Sequence, residues 1–169
     1  MASALTHDHL FVSFSPQDWG LAEWLTLRLT REGYRVWCSR FPVLGGERYP
    51  RNPEDALTTR GFRVLALISR ASLANPNTTA EWTRAVALGR TRGHQVLIPL
   101  LIDTLDEAER DWTMEVAPIS FVERWETGLG RLLAALGAVD APRPLPDGER
   151  VETEARQFMA SRRSWHTVL

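Results

Sequence analysis

Among the side chains able to do chemistry, Glu81 holds the most telling position. It is the first acidic residue beyond the polar loop that follows an apolar run, Phe62-Arg63-Val64-Leu65-Ala66-Leu67-Ile68-Ser69. A run of this length, dense in branched residues, suits a central strand covered on both faces. In open α/β sheets the ligand crevice forms beyond the carboxyl ends of the strands, near the point where strand order reverses. A carboxylate just past that loop is therefore a candidate for catalysis. The same residues have a plainer reading, because Thr78-Thr79-Ala80-Glu81 is an S/T-x-x-E capping box in which the carboxylate would bond the Thr78 backbone N–H. On periodicity alone the cap is the stronger of the two.

Other candidates surround this one. Ser13, Phe14 and Ser15 close the first strand beside the same switch point, where they are either ligand contacts or turn residues. His7, Asp8 and His9 are adjacent near the N-terminus and lack the spacing of a metal site, and His94 and His166 add no ligand pair, so no metal is expected. The pair Gly45-Gly46 is not a phosphate cradle of the dinucleotide-binding type, since no G-x-G-x-x-G follows the first strand and no P-loop signature occurs.

The elements that must position these residues alternate between strand and helix. Strand A is Leu10 to Phe14, followed by a turn in which Asp18 can cap a helix. Leu21, Trp24, Leu25 and Leu29 recur at helical steps over Trp19 to Glu32, and Gly33 closes that helix. Strand B is Tyr34 to Cys38. Ser39 to Pro53 holds Pro42, Gly45, Gly46, Pro50 and Pro53, which make it a long loop of the kind that is usually functional or mobile. A short helix over Glu54 to Thr59 precedes strand C, Phe62 to Ser69. Arg70 to Asn77 reads as loop, and Thr78 or Thr79 as the cap of a helix that runs to about Gly89. Strand D spans His94 to Ile102, where Pro99 points to a bulge or a place near a sheet edge. A short helix around Asp106 to Trp112, strand E at Ile119 to Phe121 and a helix over Gly128 to Leu136 complete five strand–helix repeats. The pattern predicts a doubly wound α/β domain over residues 8–137. Residues 138–169 read as a proline-bearing linker and a helical tail, leading to a missing or partner domain.

Composition narrows the function classes. The chain has 169 residues, of which 44% are hydrophobic, enough for one domain and a tail. A net charge of −1 supplies no basic field for a phosphate backbone, which disfavours direct nucleic-acid binding. The single cysteine, Cys38, excludes an internal disulfide and reads as a strand residue in a reducing compartment. Neither a signal peptide nor a run of ~20 apolar residues is visible, so the expectation is a soluble, cytoplasmic protein without a membrane partner.

The sequence also resembles a known family, the Toll/interleukin-1 receptor (TIR) domains, in their prokaryotic form. The resemblance is carried by Leu10-Phe-Val-Ser-Phe-Ser15 before an acidic turn, Ala22-Glu-Trp-Leu25, Gly33-Tyr-Arg-Val-Trp-Cys38, Gly45-Gly46, Val64 to Ser69, Glu81 and Val96 to Leu101. Gly33 to Cys38, and a Glu81 without the usual preceding Trp, look most like the TIR domains attached to short prokaryotic Argonautes through an APAZ domain. The resemblance implies a flavodoxin-like, five-stranded parallel sheet of order B-A-C-D-E with helices on both faces. It also implies hydrolysis of NAD to nicotinamide and linear or cyclic ADP-ribose, NAD being substrate and no cofactor being needed. Glu81 takes the place of the family's catalytic residue. Ser13, Phe14, Ser15, Phe41, Gly45, Gly46, Tyr49 and Asn77 become substrate-binding candidates, with Phe14 able to stack on nicotinamide. Implied partners are other TIR domains, an APAZ domain and a short Argonaute, in an effector of bacterial anti-phage defence that is activated by self-assembly.

Three positions depart from the family pattern: Ser39 where many members carry an acid, Asn77 where many carry Trp, and Pro50 where an aromatic is sometimes found, with Tyr49 beside it. The competing reading is a non-catalytic TIR module that works through homotypic contacts of the Phe41 to Pro50 loop. A receiver domain is disfavoured, since it needs clustered aspartates where this chain offers Ser13, Ser15 and Ser39.

Overall fold

A computed structural model describes residues 7–38, 53–110 and 116–145. Five strands form one parallel sheet: β1 (His9–Ser13), β2 (Arg35–Cys38), β3 (Gly61–Ile68), β4 (Leu97–Leu101) and β5 (Ile119–Ser120), in the order β2-β1-β3-β4-β5. This is the expected order B-A-C-D-E. The chain winds outward from β1 to β2, then returns to β3 on the other side of β1. The reversal therefore falls between β1 and β3, which pair from Leu10 with Arg63 to Ser13 with Ala66.

Strand parity sends each side chain of β3 to a definite layer. Leu65 and Leu67 pack with Leu10, Val12 and Leu100 under α1 (Trp19–Arg31) and α6 (Trp125–Ala138), where Leu21, Leu25, Leu29, Leu129, Leu132 and Leu136 meet them. Val64, Ala66 and Ile68 face the opposite layer, with Leu97, Leu101, Trp82 and Ala85 beneath α4 (Pro76–Arg92). The continuous apolar run is thus explained by burial on both faces. On the α1–α6 side, Trp24 and Trp125 lie 5.4 Å apart and Arg28 pairs with Glu126.

Pro99 is tolerated for a reason visible in the ladder. The Leu101 carbonyl accepts from the Phe121 N–H, so by alternation Pro99 also faces β5, whose register begins only opposite Leu100. Its missing N–H breaks no ladder bond.

Several boundaries differ from expectation. The segment expected to be loop contains α3 (Arg70–Leu73), and α4 starts at Pro76 with Asn75 as its cap, not Thr78 or Thr79. Proline at the first helical position and an Asn side chain accepting from the Asn77 N–H explain the earlier start. The helix also passes Gly89, where the His94 carbonyl lies 2.9 Å from the place of a Cβ, and stops at Gly93, whose φ of 74° suits the left-handed cap. Gly33, at φ 96°, ends α1 as expected. The short helix α2 (Pro53–Arg60) extends the expected Glu54 to Thr59 by one residue at each end, and α5 (Glu107–Arg110) lies within the expected Asp106 to Trp112.

The first residues of the expected linker lie against the domain. The Ala141 N–H donates to the Leu136 carbonyl, the Leu145 N–H donates to the Gly33 carbonyl at 3.1 Å, and the Arg143 guanidinium sits 5.0 Å from the Tyr34 ring centre. The expected tail helix falls outside the described residues, as do Ser39, Phe41, Gly45, Gly46, Tyr49 and Pro50. Among the described residues, no helix is long and apolar enough to cross a membrane.

Candidate active site

Strand parity also assembles the site. Leu10, Val12 and Phe14 pack in the α1–α6 layer while Phe11 packs in the α4 layer, so Ser13 follows Phe11 toward α4. On α4 the buried residues Thr78, Trp82, Ala85 and Gly89 form the stripe that seats the helix, and Glu81 stands at its edge. The two elements meet where the Ser13 hydroxyl donates to Glu81 Oε2 at 2.5 Å. The Trp82 indole N–H donates to the same Ser13 oxygen at 3.1 Å.

This geometry overturns the capping-box reading. Glu81 lies more than a turn inside α4, and Thr78 is a buried helical residue whose single hydroxyl proton is shared between the Ser72 and Asn75 carbonyls. The capping box in this region belongs to α3. There the Ser69 hydroxyl accepts from the Ser72 N–H, and the Ser69 N–H donates to the Ser72 hydroxyl.

Two opposing influences act on the Glu81 carboxyl. Burial pushes its pKa up, while the Ser13 hydrogen bond and the Arg84 charge pull it down; the net direction is up. The residue as a whole is nevertheless exposed. Solvent that reaches it limits the size of the shift and also leaves it open to a ligand.

A second serine–carboxylate pair sits at the carboxyl end of β3. Ser69 donates to Asp18 Oδ2 at 2.5 Å, and Asp18 makes no side-chain cap to α1, contrary to expectation. Burial raises the Asp18 pKa, the Ser69 bond lowers it and the charge of Asp103 raises it. Asp103 itself accepts from the Arg70 backbone N–H at 2.9 Å. Asp18, Ser69 and Asp103 thus form a second polar group beyond the carboxyl ends of the strands, beside the Ser13–Glu81 pair at the end of β1.

The other expected contacts are placed differently. Phe14 is only 8% exposed and its ring meets Trp19 at 5.7 Å in the α1–α6 layer, so stacking on a ligand would require it to leave the core. Ser15 is buried, and its hydroxyl donates to Gln17 Oε1. Asn77 is exposed and lies one helical turn before Glu81, on the same side of α4. Phe41, Gly45, Gly46 and Tyr49 lie outside the described residues. At the far end of β1, Asp8 Oδ1 lies 2.7 Å from His9 Nδ1, and no group of three or more metal-ligating side chains occurs among the described residues. The Trp82 indole and the Asp18–Ser69 pair were not singled out from the sequence. Asp18 is expected as a cap, and only the fold brings Asp18 and Trp82 to their polar partners.

A parallel five-stranded sheet of this order, with helices on both faces, defines the flavodoxin-like α/β class. The TIR domain family matches residues 10–133, and the chain belongs to that family. It is similar to the uncharacterized protein y4cD of Sinorhizobium fredii (strain NBRC 101917 / NGR234), 30% identical over 131 residues that cover 76% of this chain. The match spans 20% of that relative's length. Among solved structures, the TIR domain of the Toll-related receptor TRR-2 of Hydra magnipapillata superposes with a TM-score of 0.55 at 16% identity, covering 75% of this chain and 94% of that one. The TIR domains of the activated Roq1 resistosome, which directly recognizes the pathogen effector XopQ, give 0.57 at 10% identity, covering 76% and 98%. These two likenesses are of fold.

Proposed function

We propose that this TIR domain cleaves the nicotinamide–ribose bond of NAD, with Glu81 as its catalytic residue. The observation that carries the reading is the placement of Glu81: a ligand-accessible carboxylate at the switch point, held by Ser13, in a family that includes NAD-cleaving members. In this chemistry the bond between ribose C1′ and the pyridinium nitrogen breaks, and its electron pair leaves with neutral nicotinamide. Positive charge then develops on C1′ and the ring oxygen, where a nearby carboxylate stabilises it while accepting from ribose hydroxyls. Water adds to C1′ and releases a proton, giving ADP-ribose; capture by the adenine ring of the same molecule would give a cyclic product instead. Nicotinamide is already a good leaving group and needs no acid.

TIR domains typically self-associate, and we infer that assembly switches this activity on. The relative that is five times longer than the matched segment is consistent with a TIR domain that works inside a larger chain. The character of Gly33 to Cys38 supports an APAZ and short-Argonaute setting in a cytoplasmic anti-phage effector. The test is nicotinamide release from NAD by the chain held on a multivalent scaffold, compared with the dilute monomer. Release from the scaffolded form supports the reading. Its absence there, despite TIR–TIR association, would favour a non-catalytic interaction module, the reading to which Asn77 in place of the family's common Trp lends weight.

A further inference from the structure

We propose that Ser13 is a positioning residue for Glu81: anchored by the buried Trp82 indole, its hydroxyl holds carboxylate oxygen Oε2 and presents Oε1 to the vicinal hydroxyls of a ribose. The proposal rests on Glu81 being the reacting carboxylate. Ser13 is 4% exposed and Trp82 is fully buried, so neither side chain is available to a ligand in this arrangement. The hydroxyl expected from sequence to touch the substrate is instead turned inward.

The direction of the hydrogen bonds fixes what Ser13 does. An indole N–H can only donate, so Trp82 occupies a lone pair of Ser13 Oγ and leaves its single proton for Glu81. Ser13 therefore acts as a donor to the carboxylate, which favours the charged form that burial disfavours. Among the described residues the hydrogen bond to Glu81 is this one, made to Oε2. A strand and a buried helical anchor thus set the carboxylate's rotamer, and the ligand does not have to order it. Among the described residues, the groups acting on the Glu81 carboxyl are Ser13 from β1 and, on its own helix, Arg84, whose charge acts in the same sense as the Ser13 bond.

The experiment follows the Glu81 carboxyl by carbon-13 NMR titration in glutamate-labelled protein, its signal assigned by loss in Glu81→Gln. Parent, Ser13→Ala, Ser13→Thr and Trp82→Phe are compared, with kcat, KM and pH profiles for nicotinamide release measured on the scaffolded form. Ser13→Ala is expected to move the Glu81 midpoint to higher pH and the acid limb of kcat with it. It should also lower kcat by on the order of ten- to a hundredfold with little change in KM. Ser13→Thr, which keeps the hydroxyl, should restore both; Trp82→Phe should shift the midpoint in the same direction by less. A folded Ser13→Ala protein whose Glu81 midpoint coincides with the parent's overturns the proposal. If Ser13→Ala does not fold, an unmoved midpoint in Trp82→Phe overturns it equally. A shifted midpoint in a protein whose parent releases no nicotinamide upholds the Ser13–Glu81 bond but overturns the NAD reading and, with it, the ribose as what Oε1 is presented to, so the two failures are distinguishable.

Discussion

Burial and hydrogen bonding act against each other at Glu81, and the outcome has a thermodynamic signature. A carboxyl whose pKa is higher folded than unfolded binds more protons in the folded state. Stability therefore falls as pH rises from the ordinary glutamate range through the folded value, and is unpenalised below it. Asp18 shifts in the same direction and adds to the slope. Glu81→Gln removes the Glu81 part. In urea unfolding, the variant is expected to match the parent at low pH and to become more stable than it as pH rises through the carboxylate range. A carboxylate whose charge weakens the fold fits a group kept for function. The place of Glu81, on the helix after strand C, is legible in the chain; its pairing with Ser13 is not. Simple alternation along β1 separates Ser13 from Phe14 and sends them to opposite layers, so parity alone could have assigned Ser13 to the α4 side and Phe14 to the core. The indole–hydroxyl–carboxylate chain was illegible because its members are 68 and 69 residues apart in sequence.

The elements themselves were read more securely than their ends. Five strands, their order and the two-sided burial of β3 followed from periodicity together with the family resemblance, and the structure has them. The start of α4 was misplaced because Thr78-Thr79-Ala80-Glu81 imitates a cap, while the Asn75-Pro76 pair just before it is the real one. This difference is measurable. Asn75→Ala is expected to lower unfolding free energy by about 1 kcal/mol, and Asn75→Ser, which keeps a capping oxygen, by less. Equal stability of Asn75→Ala and parent in urea titrations would contradict the observed start of the helix. Since Glu81 is carried by this helix, a frayed first turn should also weaken any activity that depends on it.

For the whole molecule, the sheet gives the site its place and assembly is proposed to give it its control. If activation comes through TIR–TIR contact, the rate per chain should rise with the density of chains on a scaffold and fall on dilution, whereas an autonomous site would show a constant rate per chain. The Phe41 to Pro50 segment, which the sequence leads one to expect against a neighbouring TIR domain, supplies the variants: a charge placed at Phe41 should flatten the density dependence while leaving the fold intact by circular dichroism. The central claim is tested most directly by nicotinamide release from NAD by the scaffolded chain beside its Glu81→Gln counterpart, both shown to be folded. The parent is expected to release nicotinamide and the Gln variant to lose that activity by at least about a hundredfold, as for removal of one electrostatic stabiliser of a transition state. A folded Gln variant that releases nicotinamide at the parental rate would contradict the assignment of Glu81.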